Sequence, residues 1–314
     1  MKFLKFIFSR SNIFFLCALS AGFIIPQGSA IAIFLVLPAL MVIMTLTPLR
    51  IPRGFFRRGR PLIAPAIQGN IMNYILLGNL IIFAGLFFVR EEGFWLGLVL
   101  VAAMPPAVSI LPLAKSFRAD LTIALAGFTG AYLGALLIIP LIGLAFLKYS
   151  QFNYWLIVLI VVAVIILPII LSRILVEKDW DNLIMPRKGM IIDSCFFIVF
   201  YTVAAKTKNL VADWSSDMSA ILLIAALSIL LVFFAFRKIA RMLKVAEDKI
   251  ISLLLLGTMK NYGMAGGLAL LMFSEKVAFA SLAFAVINFF YANWLAYRKN
   301  IAGKSLVVEE TPPS

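Results

Sequence analysis

Runs of about twenty uncharged, mostly apolar residues recur along nearly the whole of this 314-residue chain. A helix of that length crosses a hydrocarbon layer about 30 Å thick. Inside that layer the backbone must satisfy its own hydrogen bonds, which only helices and closed barrels achieve. A barrel would announce itself as short alternating segments, and the runs here are long and continuous. With 63% apolar and 13% charged residues, a soluble globule of this size would lack polar surface. The chain therefore reads as an all-α, multi-pass membrane protein. Ten spans are expected, near 12–27, 31–49, 62–88, 94–115, 120–147, 153–172, 189–205, 218–236, 250–273 and 278–296.

Charge orients these spans. One set of loops carries Lys2, Lys5 and Arg10, then Arg50, Arg53, Arg57, Arg58 and Arg60, then Lys115 and Arg118, and continues to Arg173–Lys188, Arg237–Lys249 and Arg298–Lys304. The opposite loops hold only Arg90, Lys148, Lys206, Lys208 and Lys276. The basic side is the cytoplasmic side, so both termini are expected there, in a bacterial inner membrane. The net charge of +14 is read as orientation and contact with anionic lipid, not as a nucleic-acid footprint. The start, "MKFLKFIFSRSNIFFLCALSAGF", has the form of a signal peptide, and "GSA" at 28–30 resembles a cleavage site. Retention is expected because ten spans divide into two halves of five, which the odd number inverts relative to each other. Inverted halves are a recurring plan of secondary transporters.

Two corresponding spans are interrupted. The fourth reads "VAAMPPAVSILPLAK", with Pro105, Pro106 and Pro112 inside an apolar run. The ninth reads "GTMKNYGMAGG", with Lys260 near its middle. Paired broken helices point to a substrate site at the midplane, and freed backbone groups are tolerated only beside protein or a wet cavity. Interruptions are expected near 104–112 and 258–263, approaching each other. An ammonium at mid-depth costs on the order of 2.5–3.5 kcal/mol, so Lys260 is expected to be functional. Snorkelling is the bland alternative, but the position is too deep for it. The nearest carboxylates, Asp193 and Asp120, sit near span ends.

At these stretches the sequence resembles the bile acid:sodium symporter family. "MKNYGMA" at 259–265 is similar to the family's Met-Gln-Asn-Ser-Gly-Leu-Ala motif in the ninth helix. "MPPAVSILPLAKSFRADLTIA" at 104–124 aligns with its Cys-Pro-Gly-Gly fourth helix, basic loop and fifth helix, and "IQGNIM" at 67–72 with Ala-Gln-Phe-Ala-Ile-Met in the third. The resemblance implies two parts. Spans 1, 2, 6 and 7 (12–49 and 153–205) would form a panel. Spans 3–5 and 8–10 (62–147 and 218–296) would form a core in which helices four and nine cross. Residues 297–314 would be a cytoplasmic tail. It also implies transport of organic anions by alternating access. Where the family's sodium ligands would fall, this chain has Ile110, Leu111, Ala124, Phe128, Leu256 and Lys260; only Gln68 matches. Apolar side chains offer no oxygen to sodium.

The expectation is thus a sodium-independent transporter of a small organic anion, a carboxylate by preference, acting as a monomer. Lys260 would take the sodium's place with Gln68 and Asn261 as partners. An ammonium that stays charged gives a facilitator, whereas one that loads and releases a proton gives proton coupling. Lys260, Asn261, Gln68, Asn70, Pro105, Pro106, Ser109, Thr258 and Asn288 are expected to line the site. For Gln68, Asn70, Asn73, Asn261 and Asn288 the plainer role is interhelical hydrogen bonding, worth about 0.6–2 kcal/mol. An intramembrane enzyme is disfavoured, because there is no histidine and no deep carboxylate pair. No cofactor or metal is expected from the two cysteines, Cys17 and Cys195. A metalloid efflux permease would place a cysteine beside the fourth-span proline, where Met104 and Pro106 stand. A substrate-binding sensor without transport is the remaining alternative.

Overall fold

The computed structural model describes residues 10–51, 54–55, 59–146, 159–160 and 162–309. Lys2, Lys5, Arg53, Arg57, Arg58, Lys148, much of the first half of the sixth expected span and residues 310–314 lie outside the described residues. The helices are α1 (Arg10–Ile24), α2 (Ser29–Leu46), α3 (Ile63–Asn70), α4 (Asn79–Phe88), α5 (Glu92–Ala103), α6 (Ile110–Ser116), α7 (Leu121–Phe146), α8 (Leu167–Glu177), α9 (Asp181–Ile184), α10 (Lys188–Ala212), α11 (Ser216–Met242), α12 (Glu247–Thr258), α13 (Tyr262–Met272) and α14 (Glu275–Glu309).

Six stretches among the described residues are helical, long and apolar enough to cross a membrane: Pro26–Leu49, Arg60–Phe88, Leu121–Ile142, Lys188–Ala212, Ser216–Met242 and Glu275–Arg298. Their outward faces carry bare apolar side chains such as Phe34, Phe87 and Leu137, a surface that only lipid solvates well. The molecule is an all-α, multi-pass membrane protein. The fourth and ninth expected spans each appear as two shorter helices, α5 with α6 and α12 with α13.

Lipid tails are as apolar as leucine, so helices here associate through close packing and polar contacts. α10 packs chiefly on α1 and α2, and α8 joins α2. α3 packs on α7, α5 on α14, and α11 on α12 and α14. Polar caps fix the ends. Asp120 accepts the backbone N–H groups of Thr122 and Ile123 at 2.8 and 3.0 Å, starting α7. Asp217 accepts those of Arg90 and Glu91 at 3.2 and 2.7 Å, fastening the loop before α5 to the start of α11. Arg237 and Arg241 both meet Glu247, joining α11 to α12.

Two local features depart from the sequence reading. Pro112 does not prolong the break. It stands in the first turn of α6, where its missing N–H would have had no helical partner anyway. The third span, where the sequence shows no interruption, widens into a π-helix over Ile71–Gly78 between α3 and α4. Such widened turns often mark functional sites, and this one carries Asn73 and Tyr74.

Candidate functional site

The two interruptions meet. Proline has no N–H and pushes the preceding residue into an extended conformation, so α5 ends at Ala103, and Met104 is extended at φ −71°, ψ 145°. In the other chain segment Met259 is extended at φ −126°, ψ 113°. The stretches pair antiparallel at Pro106 and Lys260. The Ala107 N–H donates to the Met259 carbonyl at 3.0 Å, and the Asn261 N–H to the Pro105 carbonyl at 2.8 Å. Each break thus satisfies backbone groups that the other has freed.

Side chains complete the crossing. The Asn261 carbonyl oxygen accepts the Met264 N–H at 3.0 Å, capping α13, and its amide donates to the Tyr132 hydroxyl at 3.2 Å. Tyr132 in turn donates to the Pro106 carbonyl at 3.0 Å. Lys260 is 1% exposed. Its ammonium donates to the Ala102 carbonyl at 2.8 Å and the Met104 carbonyl at 3.0 Å, and sits 4.9 Å from the centre of the Tyr74 ring. The Met104 carbonyl also accepts from Asn73 at 3.0 Å. These carbonyls belong to the open C-terminal end of α5, which is the negative end of its dipole. The Lys260 Nζ is set on that end.

On one side of the crossing lies a cavity of about 500 Å³, within the usual range for small-molecule sites. Ala107–Ser109, Met259–Gly263, α6 and α14 form part of its wall, and α1, α10 and Thr47 after α2 the rest. Its charged lining residues are Arg10, Lys188, Lys260 and Asp193. Arg10 pairs with Asp193 at 2.8 Å, and Ser11 donates to the same carboxylate at 2.7 Å. The N-terminal starts of α6 and α13 both border the space.

Of the residues singled out in the sequence, Lys260, Asn261, Ser109 and Asn288 line the cavity. The others do not. Gln68 is exposed on α3. The ammonium bonds instead to backbone carbonyls, because the chain end of α5 lies nearer than any side-chain oxygen of the third span. Asn261 is likewise no partner of the ammonium, since both ends of its amide are engaged as described. Asn70 donates to the Ala66 carbonyl at 2.9 Å, and the Thr258 hydroxyl to the Leu254 carbonyl at 2.6 Å. Both bonds close on the preceding helical turn. Pro105 and Pro106 are buried in the paired segment behind the cavity wall. Sequence reasoning missed Tyr74, Tyr132, Arg10, Lys188 and a phenylalanine wall. By sequence alone Arg10 is only a loop charge.

The cap predicts a modest effect. Asn261→Ala should cost about 1–2 kcal/mol, the usual value of an N-cap, read as a lower melting temperature in detergent. An unchanged melting temperature would show that α13 does not need it.

Compared with known proteins, the chain matches no protein-family profile, and no protein of curated function matches it.

Proposed function

We propose that the chain is a secondary transporter that carries a small organic anion across the membrane by alternating access, without sodium. In this reading ten spans form two inverted halves, both termini are cytoplasmic, and a panel of spans 1, 2, 6 and 7 moves against a core of the other six. The observation that carries it is the placement of the cavity. It lies between helices assigned to the panel (α1 and α10) and helices assigned to the core (α6, α13 and α14), with the crossed breaks as its wall. Its lining includes Arg10, Thr47, Ser116 and Lys188, which stand at the basic, cytoplasmic ends of their helices. On the opposite side α13 lies tightly on α2, where a side chain at Gly267 would meet Leu40 and Val36 at 2.8 and 2.9 Å. That arrangement suits an inward-facing state.

Arg10 and Lys188 against the single carboxylate of Asp193 leave the lining net positive without counting Lys260, which favours an anion. The absence of sodium from the scheme rests on chemistry. The positions that resemble sodium ligands hold Ile110, Leu111, Ala124, Phe128 and Leu256, all buried and apolar. Lys260 stands at the crossing instead, its Nζ on the Ala102 and Met104 carbonyls. Flux of a radiolabelled carboxylate into proteoliposomes, with sodium and pH gradients imposed separately, tests this. Uptake should be the same when potassium replaces all sodium, and a response to the pH gradient would identify proton coupling. Strict sodium dependence that survives Lys260→Ala would refute the reading. Ligand-induced stabilisation with no flux would make the protein a sensor.

A further inference from the structure

Within the anion-transport reading, the residue that meets the anion has yet to be named. Lys260 directs its ammonium away from the cavity, at two carbonyls and a ring. Another cation has to face the ligand. Arg10, at the start of α1, lines the cavity on the wall opposite the crossing. Asp193 engages only its Nε, and the two terminal nitrogens have no partner among the described residues. A guanidinium offers five N–H donors in a rigid fork, so the edge left open is the one that grips a carboxylate through two parallel bonds. Asp193 is itself held at its second oxygen by Ser11, which fixes the plane of the fork. Gly189 lies against that fork, where a Cβ would come within 2.5 Å of an Arg10 terminal nitrogen and push the guanidinium aside. Lys188 adds a second positive charge to the same lining.

Part of the remaining wall is aromatic. Phe15 meets Phe200 edge-on at 4.9 Å and stacks on Phe289 at 5.5 Å, and all three line the cavity. Such a surface favours an apolar ring and does nothing for a compact hydrophilic anion. We infer that Arg10 binds the carboxylate of the substrate, and that the substrate is a small monocarboxylate carrying an aromatic ring that rests on Phe15, Phe200 and Phe289.

Calorimetric titration of the full chain in detergent with 3-phenylpropionate, its neutral amide and acetate tests both halves. The wild type should prefer 3-phenylpropionate to either of the others by about tenfold or more, the scale of one well-placed charged contact. Arg10→Gln should bring the acid and the amide to similar affinity. Arg10→Lys, which keeps the charge and loses the fork, should restore part of the preference. Phe200→Ala should weaken 3-phenylpropionate and leave acetate unchanged. The Arg10 side chain is 55% exposed, so Arg10→Gln is expected to fold, and its melting temperature without ligand checks this. A merely structural loss would weaken acid and amide alike and would not be relieved by lysine. The inference falls if the wild type binds none of the three probes, or if Arg10→Gln keeps the preference for acid over amide. Uptake of labelled 3-phenylpropionate separates it from the transport reading. Arg10-dependent binding without uptake upholds the site and defeats transport, whereas uptake unaffected by Arg10→Gln does the reverse.

Discussion

Replacing Lys260 by alanine is expected to abolish flux and to destabilise the protein by about 2–4 kcal/mol. The ammonium makes hydrogen bonds to the Ala102 and Met104 carbonyls, at the end of α5 where no following turn supplies donors. Without it Ala102 loses its only side-chain donor among the described residues, while Met104 keeps Asn73. A hydrogen bond to a charged group is worth about 1.5–3 kcal/mol, and an orphaned buried acceptor costs about 1–3 kcal/mol. Relief of the lysine's own desolvation offsets part of this, since removing a buried charge returns its burial cost. Methionine separates the two effects. It fills the space, so Lys260→Met should recover some stability and no flux. Lys260→Gln keeps a donor and should fall between alanine and the wild type in stability. Melting temperature in detergent and uptake in proteoliposomes are the two readouts. A Lys260→Met protein that transports normally would show that the charge plays no part.

Gly69→Leu should prevent accumulation of folded protein, at a cost of about 3 kcal/mol or more. α3 and α7 touch backbone to backbone where Gly69 meets Gly127, and a Cβ on Gly69 would fall on the Gly127 main chain. A clashing side chain can turn aside, but a packed main chain cannot. The same contact recurs one turn along α7, where Gly130 lies on Ala66. Separating the two helices would also displace Tyr74 and Tyr132, which come from the third span and from α7 and hold the crossing from behind. Size-exclusion chromatography of the purified variants is the check. Ile67→Leu, at an exposed neighbour on α3, should behave as wild type. A monodisperse Gly69→Leu protein with an unchanged melting temperature would overturn the packing argument.

The sequence alone determined the solvent and the interruptions. Long apolar runs dictate helices in lipid, because no other open structure satisfies its backbone there. Pro105 and Pro106 dictate a break, because neither has an N–H to give. Lys260 stood out because a charge at that depth is costly wherever the helix faces. What the sequence could not determine was which groups meet across helices. Gln68 and Asn261 were natural partners for the ammonium by residue type, but the partners are carbonyls, which every residue has and composition cannot distinguish. Arg10 and Asp193 lie 183 positions apart and look like two separate membrane-end charges until α1 and α10 are packed side by side. The physical reason is rotation about the helix axis. An amphipathic helix declares its buried face through its periodicity. Helices that are apolar all round, as most are here, declare none, and only the packed structure sets which side chain turns toward the cavity.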